Sequence, residues 1–296
     1  MTMSDLHGPT KLVNRRLVLM LGAAGGFAAF GPSPRSFAKD GKGQIKVAVK
    51  YSMIREAVSV RAKFETLKSA GFQGVEITIG QRKEVKEILR AVDATGVVVH
   101  GVVHGTSDNY EEPLNLCKGV GGDSVLVVAR LKPKVSYDEN FKLAQRYLSK
   151  AIPQAEKLGV RLLVENVRDS FLKKAEEMAR FIDELKSPAV GAYFDTGNAI
   201  TWTDQSAEHW VRVLGHRIVK LDVKDRGHVD FGDPKKRSPD AVGADGGEVH
   251  WKNVRNELER IKFGGWATAE TKGGGEARLK RMAHWMRGIL RLRRLN

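Results

Sequence analysis

Arg161-Leu162-Leu163-Val164-Glu165-Asn166 is an apolar run closed by an acid and an amide. Read as a β-strand, its period-two alternation sends Leu163 and Glu165 to one face and Leu162 and Val164 to the other. A carboxylate at the last position of a buried strand is costly unless it finds a partner. The pattern returns at Gly191-Ala192-Tyr193-Phe194-Asp195, at Ile218-Val219-Lys220-Leu221-Asp222 and at Trp266-Ala267-Thr268-Ala269-Glu270, so four apolar strands each end in an acid. As neighbours in one parallel sheet they would bring their carboxylates together, and like charges that close cannot all stay ionised unaided. A divalent cation is the simplest remedy.

Around these four runs the chain alternates throughout. Strands are expected at 45–50, 74–78, 97–100, 124–129, 161–165, 190–195, 217–223 and 265–271. Helices are expected at 58–70, 83–94, 114–120, 137–158, 171–185, 207–214, 251–261 and 276–292, several stopped by a glycine, and Pro153 is expected to bend the longest of them. Apolar strands fit for burial on both faces, eight times alternating with helices, predict a closed (β/α)8 TIM barrel rather than an open sheet. Strand ends are where such a barrel carries its active site, and the four acids, with Glu76 and His100, are expected there. No dinucleotide or phosphate-loop fingerprint follows the first strand, and Gly273-Gly274-Gly275 reads as a turn beside the site.

The first part of the chain is different in kind. Asn14-Arg15-Arg16-Leu17 opens an uncharged run to Phe30, and Ser36-Phe37-Ala38 supplies small residues for cleavage. These are the regions of a twin-arginine export signal over residues 1–38, and they predict a periplasmic protein with no stable membrane anchor. The apolar run is shorter than the roughly 20 residues of a span. Residues 39–296 then form the barrel, 258 in number against the ~250 typical of the fold. Of the net charge of +15, Lys11, Arg15, Arg16 and Arg35 against Asp5 fall in the leader and +12 remains. The basic residues are spread over the expected helices, which describes a solvated surface and predicts no nucleic-acid partner. Cys117 is the single cysteine, so neither an intrachain disulfide nor a thiolate metal cluster is available.

Taken together, LLVEN, YFDTGN, RIVKLDVKDR and GGWATAETKGG, in this order between Arg161 and Gly275, resemble the xylose-isomerase-like barrel superfamily of sugar phosphate isomerases and epimerases. The resemblance implies that Glu165, Asp195 and Glu270 bind one divalent metal, usually manganese, magnesium or cobalt. The family's fourth ligand is commonly a histidine in an H-x-K-D run, and here that position is Asp222. All-oxygen coordination favours Mg2+ or Mn2+ over zinc. Asn198, in DTGN, also departs from relatives that carry histidine after an aspartate.

The expected chemistry is metal-assisted proton movement next to a carbonyl of a small carbohydrate, through an enediolate, with Glu165 and Glu270 as the acid/base pair. Return of the proton to the same carbon from the other face epimerises it; return to the adjacent carbon isomerises aldose and ketose. Expected substrate contacts are Glu76, His100, His104, Asn166, Asn198, Trp202 and Lys224. Each has a plainer reading: an ion pair with an inward lysine such as Lys50 for Glu76, structural histidines, a turn amide for Asn166, packing for Trp202 and a solvated rim cation for Lys224. With Asp222 inward, Lys220 and Lys224 share its face. Competing functions are a lyase acting on oxidised glycosides with the same residues, a non-catalytic sugar-binding barrel, and a metal-dependent endonuclease on the related barrel. The last is disfavoured by the few histidines at strand ends and by export.

Overall fold

The computed structural model describes residues 43–56, 58–104, 109–225 and 247–292. The expected leader and most of the polar segment after Lys224 lie outside these residues. In chain order the elements are β1 (Ile45–Lys50), α1 (Val60–Ala70), β2 (Gly74–Thr78), α2 (Val85–Thr95), β3 (Val98–His104), α3 (Glu111–Gly119), β4 (Ser124–Val127), α4 (Tyr137–Leu158), β5 (Arg161–Glu165), α5 (Ala175–Glu184), β6 (Val190–Asp195), α6 (Thr196–Trp202), α7 (Ala207–Leu214), β7 (Ile218–Val223), α8 (Trp251–Arg260), β8 (Gly265–Ala269) and α9 (Glu276–Ile289). The eight strands pair in sequence order, all parallel, and β8 closes on β1.

The alternation read from β5 is what the barrel uses. Leu162 and Val164 join the large shell between strands and helices, whereas Leu163 packs inside the barrel with Leu126 and Tyr193. Local signals set the helix ends. Ser136 caps α4, accepting from Glu139 N at 3.2 Å, while Glu139 Oε2 accepts from Ser136 N at 3.1 Å. Gly159 stops the same helix at φ 65°, a conformation that costs a side-chain-bearing residue. Pro153 lies inside α4, and the helix continues through it.

Three differences from the expected elements bear on the site. Strand β3 runs on to His104 because Gly101-Val102-Val103 continues the extended pattern, so His100 is its third residue and not its end. Glu76 sits in the middle of β2 for the same kind of reason, with Ile77 and Thr78 still paired to β3. A further short helix, α6, follows β6 directly, where the sequence suggested a loop; Asp195 is its N-cap, and its side chain accepts from Asn198 N.

Leu162 is fully buried in the shell, and Leu89 on α2 is 38% exposed. Leu162→Ala is therefore expected to lower the unfolding free energy by about 2–5 kcal/mol. Leu89→Ala should stay within about 0.5 kcal/mol. Denaturant unfolding of the two variants beside the parent measures both.

Candidate active site

Each acid reaches the mouth of the barrel from a different strand. Glu165 ends β5, Asp195 ends β6, Asp222 is the penultimate residue of β7, and Glu270 follows β8. Asp195 and Asp222 are register partners across β6 and β7. One carboxylate oxygen from each of the four lies within 4.8 Å of the others. Glu165, Asp195 and Asp222 are buried, and Glu270 has 38% of its side chain exposed.

Two lysines are threaded through these charges. Lys224 Nζ lies 2.8 Å from Asp195 Oδ2, an ion-pair contact rather than a well-aligned hydrogen bond, and 3.3 Å from Glu270 Oε2. Its approach depends on Gly197, since a Cβ there would stand 2.5 Å from Lys224 Cγ. Lys50, at the end of β1, donates to Glu76 Oε2 at 2.7 Å and to Asp222 Oδ2 at 2.9 Å. The other oxygen of Asp222, Oδ1, is buried and accepts no hydrogen bond among the described residues.

The remaining mouth residues orient the acids. Asn166 clasps the backbone of Asp195, its amide donating to Asp195 O and accepting from Asp195 N, both at 2.8 Å. Asn198 donates from Nδ2 to Glu165 Oε1 at 3.1 Å, and the Trp202 indole N–H donates to Asn198 Oδ1 at 3.2 Å. Trp202 thus braces Glu165 through Asn198 while its ring, 42% exposed, stacks against the Arg168 guanidinium at 5.5 Å. Asp225 accepts from Glu248 N, Val249 N and the Trp251 indole, tying the end of β7 to the start of α8.

Of the expected substrate contacts, Asn166, Asn198, Trp202 and Lys224 gather around the four acids. Glu76 and His100 do not. Glu76 is 1% exposed, paired with Lys50 and within 3.3 Å of the Tyr193 hydroxyl, which is the plainer reading offered by the sequence. His100 is 2% exposed, stacks on Trp266 at 4.8 Å, and is held by Lys220 and Thr268. Both expectations are corrected by depth: these residues sit inside the barrel, held by internal partners through Glu76 Oε2 and both ring nitrogens of His100. His104, at the end of β3, packs edge-on against Tyr110 at 5.6 Å. Lys220 is inward as expected, but its ammonium goes to His100 and Asp123 instead of the mouth. The sequence did not bring Lys50 to Asp222. The available signal was that β1 ends in a lysine just where four other strands end in acids.

Electrostatics separates the acids. Burial, then Glu270 and Asp195, pushes the Glu165 carboxyl up to about 8. Burial likewise raises Asp195 to about 7, against the pull of Lys224, and raises Asp222 well above the usual range despite Lys50. For Glu270, burial is outweighed by Lys50 and Lys224, and the group falls to about 2. Oxygen donors alone, an unused buried oxygen on Asp222 and protons retained at neutral pH together fit a hard divalent cation.

A cavity of about 420 Å3 opens at the opposite end of the barrel, lined among others by Lys186, His216, Arg217, Lys262 and Phe263. None of the four acids lines it.

The family model of the xylose isomerase-like TIM barrel matches residues 64–294. The chain belongs to this family. Solved structures similar to it include 3-keto-D-glucoside 4-epimerase from E. coli, at 16% identity and a TM-score of 0.66, covering 83% of this chain and 99% of that one. A D-psicose 3-epimerase from Clostridium cellulolyticum H10, with D-tagatose, is 14% identical at a TM-score of 0.64, covering 83% and 97%. The IolI protein with a binding zinc atom is 13% identical at 0.67, covering 83% and 98%. These identities show a shared fold. No curated protein sequence matches the chain.

Because Glu165 and Asp195 hold protons near neutrality, a divalent cation that binds them must displace protons. Affinity for Mn2+ is accordingly expected to rise from pH 6 to pH 9, with proton release at pH 7. Titration calorimetry in buffers of different ionisation enthalpy reads that release, and a buffer-independent heat at pH 7 would contradict the assignment.

Proposed function

We propose that the protein is a divalent-metal-dependent sugar epimerase or isomerase, with Mn2+ or Mg2+ the favoured ion and Co2+ an alternative. The carrying observation is the convergence of Glu165, Asp195, Asp222 and Glu270 at the mouth of a barrel of this family. The epimerases among the similar folds support a substrate with a carbonyl beside an exchangeable carbon-bound proton. When bound, the ion supplies Lewis-acid stabilisation of the negative charge that develops on the substrate's oxygens.

The chain's own residues do the rest. Glu165 and Glu270 reach the mouth from different strands and serve as the acid/base pair. One of them takes the proton from carbon and the other returns one on the opposite face. Asn198 fixes the Glu165 carboxylate for this transfer, with Trp202 behind it. Lys224, beside Asp195 and Glu270, adds a positive charge where the enediolate oxygens accumulate negative charge. The Trp202–Asn198–Glu165 line leaves the indole partly exposed, as an apolar wall for a sugar ring.

Read as a twin-arginine signal, the leader supports a periplasmic location, and with it unphosphorylated sugars or glycosides as substrates. The 3-keto-D-glucoside specificity of one similar fold makes oxidised glycosides the first substrates to try.

Solvent deuterium incorporation is the test. The mature protein with Mn2+, given free ketoses and keto-glycosides in D2O, is expected to exchange the proton next to the carbonyl, followed by NMR. Glu165→Gln and Glu270→Gln should each slow exchange by about 10²–10⁴-fold. Release of the aglycone would assign the lyase reaction to the same residues. Absence of exchange together with absence of bound metal would leave a non-catalytic sugar-binding barrel.

A further inference from the structure

Asp222 differs from the other three acids in what lies beneath it. Glu165 is braced by the Asn198 amide and Asp195 by backbone, with Lys224 reaching Asp195 from the rim, but Asp222 is met from inside the barrel by an ammonium group. Lys50 is 9% exposed at its side chain, and its partners Glu76 and Asp222 are fully buried at theirs. Its amine is pinned from two sides, 2.7 Å from Glu76 Oε2 and 2.9 Å from Asp222 Oδ2. It also lies 5.0 Å from the Tyr193 ring centroid. A lysine held this way has little freedom to leave.

The consequence for Asp222 is geometric. Lys50 occupies Oδ2, and Oδ1 is left buried and without a hydrogen-bond partner among the described residues. A carboxylate with one oxygen held from behind and the other unused, in a cluster of four ligand atoms within 4.8 Å, is oriented as a one-oxygen ligand. Ligating groups depend on such outer partners for their orientation.

We propose that Lys50 is a positioning residue for the metal: by holding Oδ2 from below it turns Asp222 so that Oδ1 faces the ion. This rests on the metal-dependent reading of the site. A neutral imidazole in place of Asp222 would need no such lysine to serve as a ligand.

Mn2+ binding by the purified protein, read by calorimetry, gives a sign that separates positioning from simple charge. Removing a cation near the site by Coulomb's law alone strengthens metal binding. Positioning predicts the reverse: Lys50→Met should weaken Mn2+ binding by about 10–100-fold. Lys50→Met combined with Asp222→His should recover affinity, because the imidazole stands without the lysine. Equal or tighter binding by the Lys50→Met protein, or no recovery in a folded Lys50→Met/Asp222→His protein, overturns the inference. If Lys50→Met does not fold, Lys50→Met/Glu76→Gln removes the lysine's other acid with it and takes its place in the measurement. Failure of the parent protein itself to bind Mn2+ would instead overturn the metal-dependent reading, so the two failures are told apart.

Discussion

Like charge gathered in a poorly solvated space is the constraint on which the rest of this barrel turns. Four carboxylates at the mouth and Glu76 beneath them are opposed by the ammonium groups of Lys50 and Lys224. Removing one partner of a buried pair leaves an uncompensated charge, which costs far more than the pair is worth. The two lysines therefore hold distinct posts. Lys224 works from the rim, 25% exposed, between Asp195 and Glu270, and Lys50 works from below, between Glu76 and Asp222. Charge still outstanding is what makes a divalent ion fit, and what keeps Glu165 and Asp195 partly protonated without one.

The interior below the mouth departs from the branched apolar layers usual in this fold. A polar line runs from Lys220 through His100, Thr268 and Tyr193 to Glu76, Lys50 and Asp222. Its direction follows from chemistry. Lysine can only donate, so His100 Nδ1 accepts from Lys220, and Nε2 carries the proton toward Thr268. The imidazole is neutral, since burial and the neighbouring Lys220 and Lys50 all drive its protonation down. Thr268 can then donate to Tyr193 and Tyr193 to Glu76, each group giving to the next. Such a network ties the register of β1, β2, β3, β6, β7 and β8 together by side chains as well as backbone, and at its lower end Lys220 reaches Asp123.

Compared with this interior, the mouth is organised by short-range features. Asp195 does two jobs from one position: Oδ1 caps α6, and Oδ2 faces Lys224. Because the helix starts immediately after the strand, Asn198 and Trp202 come round on its first turns to meet Glu165 on the neighbouring strand. Gly197 then leaves room for Lys224 to cross over the same turn. The D-T-G-N run at the end of β6 is thus one compact device that supplies an acid of the cluster, a cap, a gap and a brace.

What the amino-acid sequence determined by itself was the two-faced character of each strand and the acid that ends it. Period-two alternation and burial are local properties, so Leu163 inside, Leu162 outside and the four strand-end acids were legible without coordinates. The short helix after Asp195 was signalled only by a capping aspartate, which the adjoining strand pattern masked. The depth of Glu76 and His100 and the meeting of Lys50 with Asp222 were decided by the tertiary structure. Closing eight strands into a barrel staggers them, and the register shifts at Val75/Glu76 and Ala192/Tyr193 add to that stagger, so which inward residues share a level depends on pairings between strands far apart in the chain.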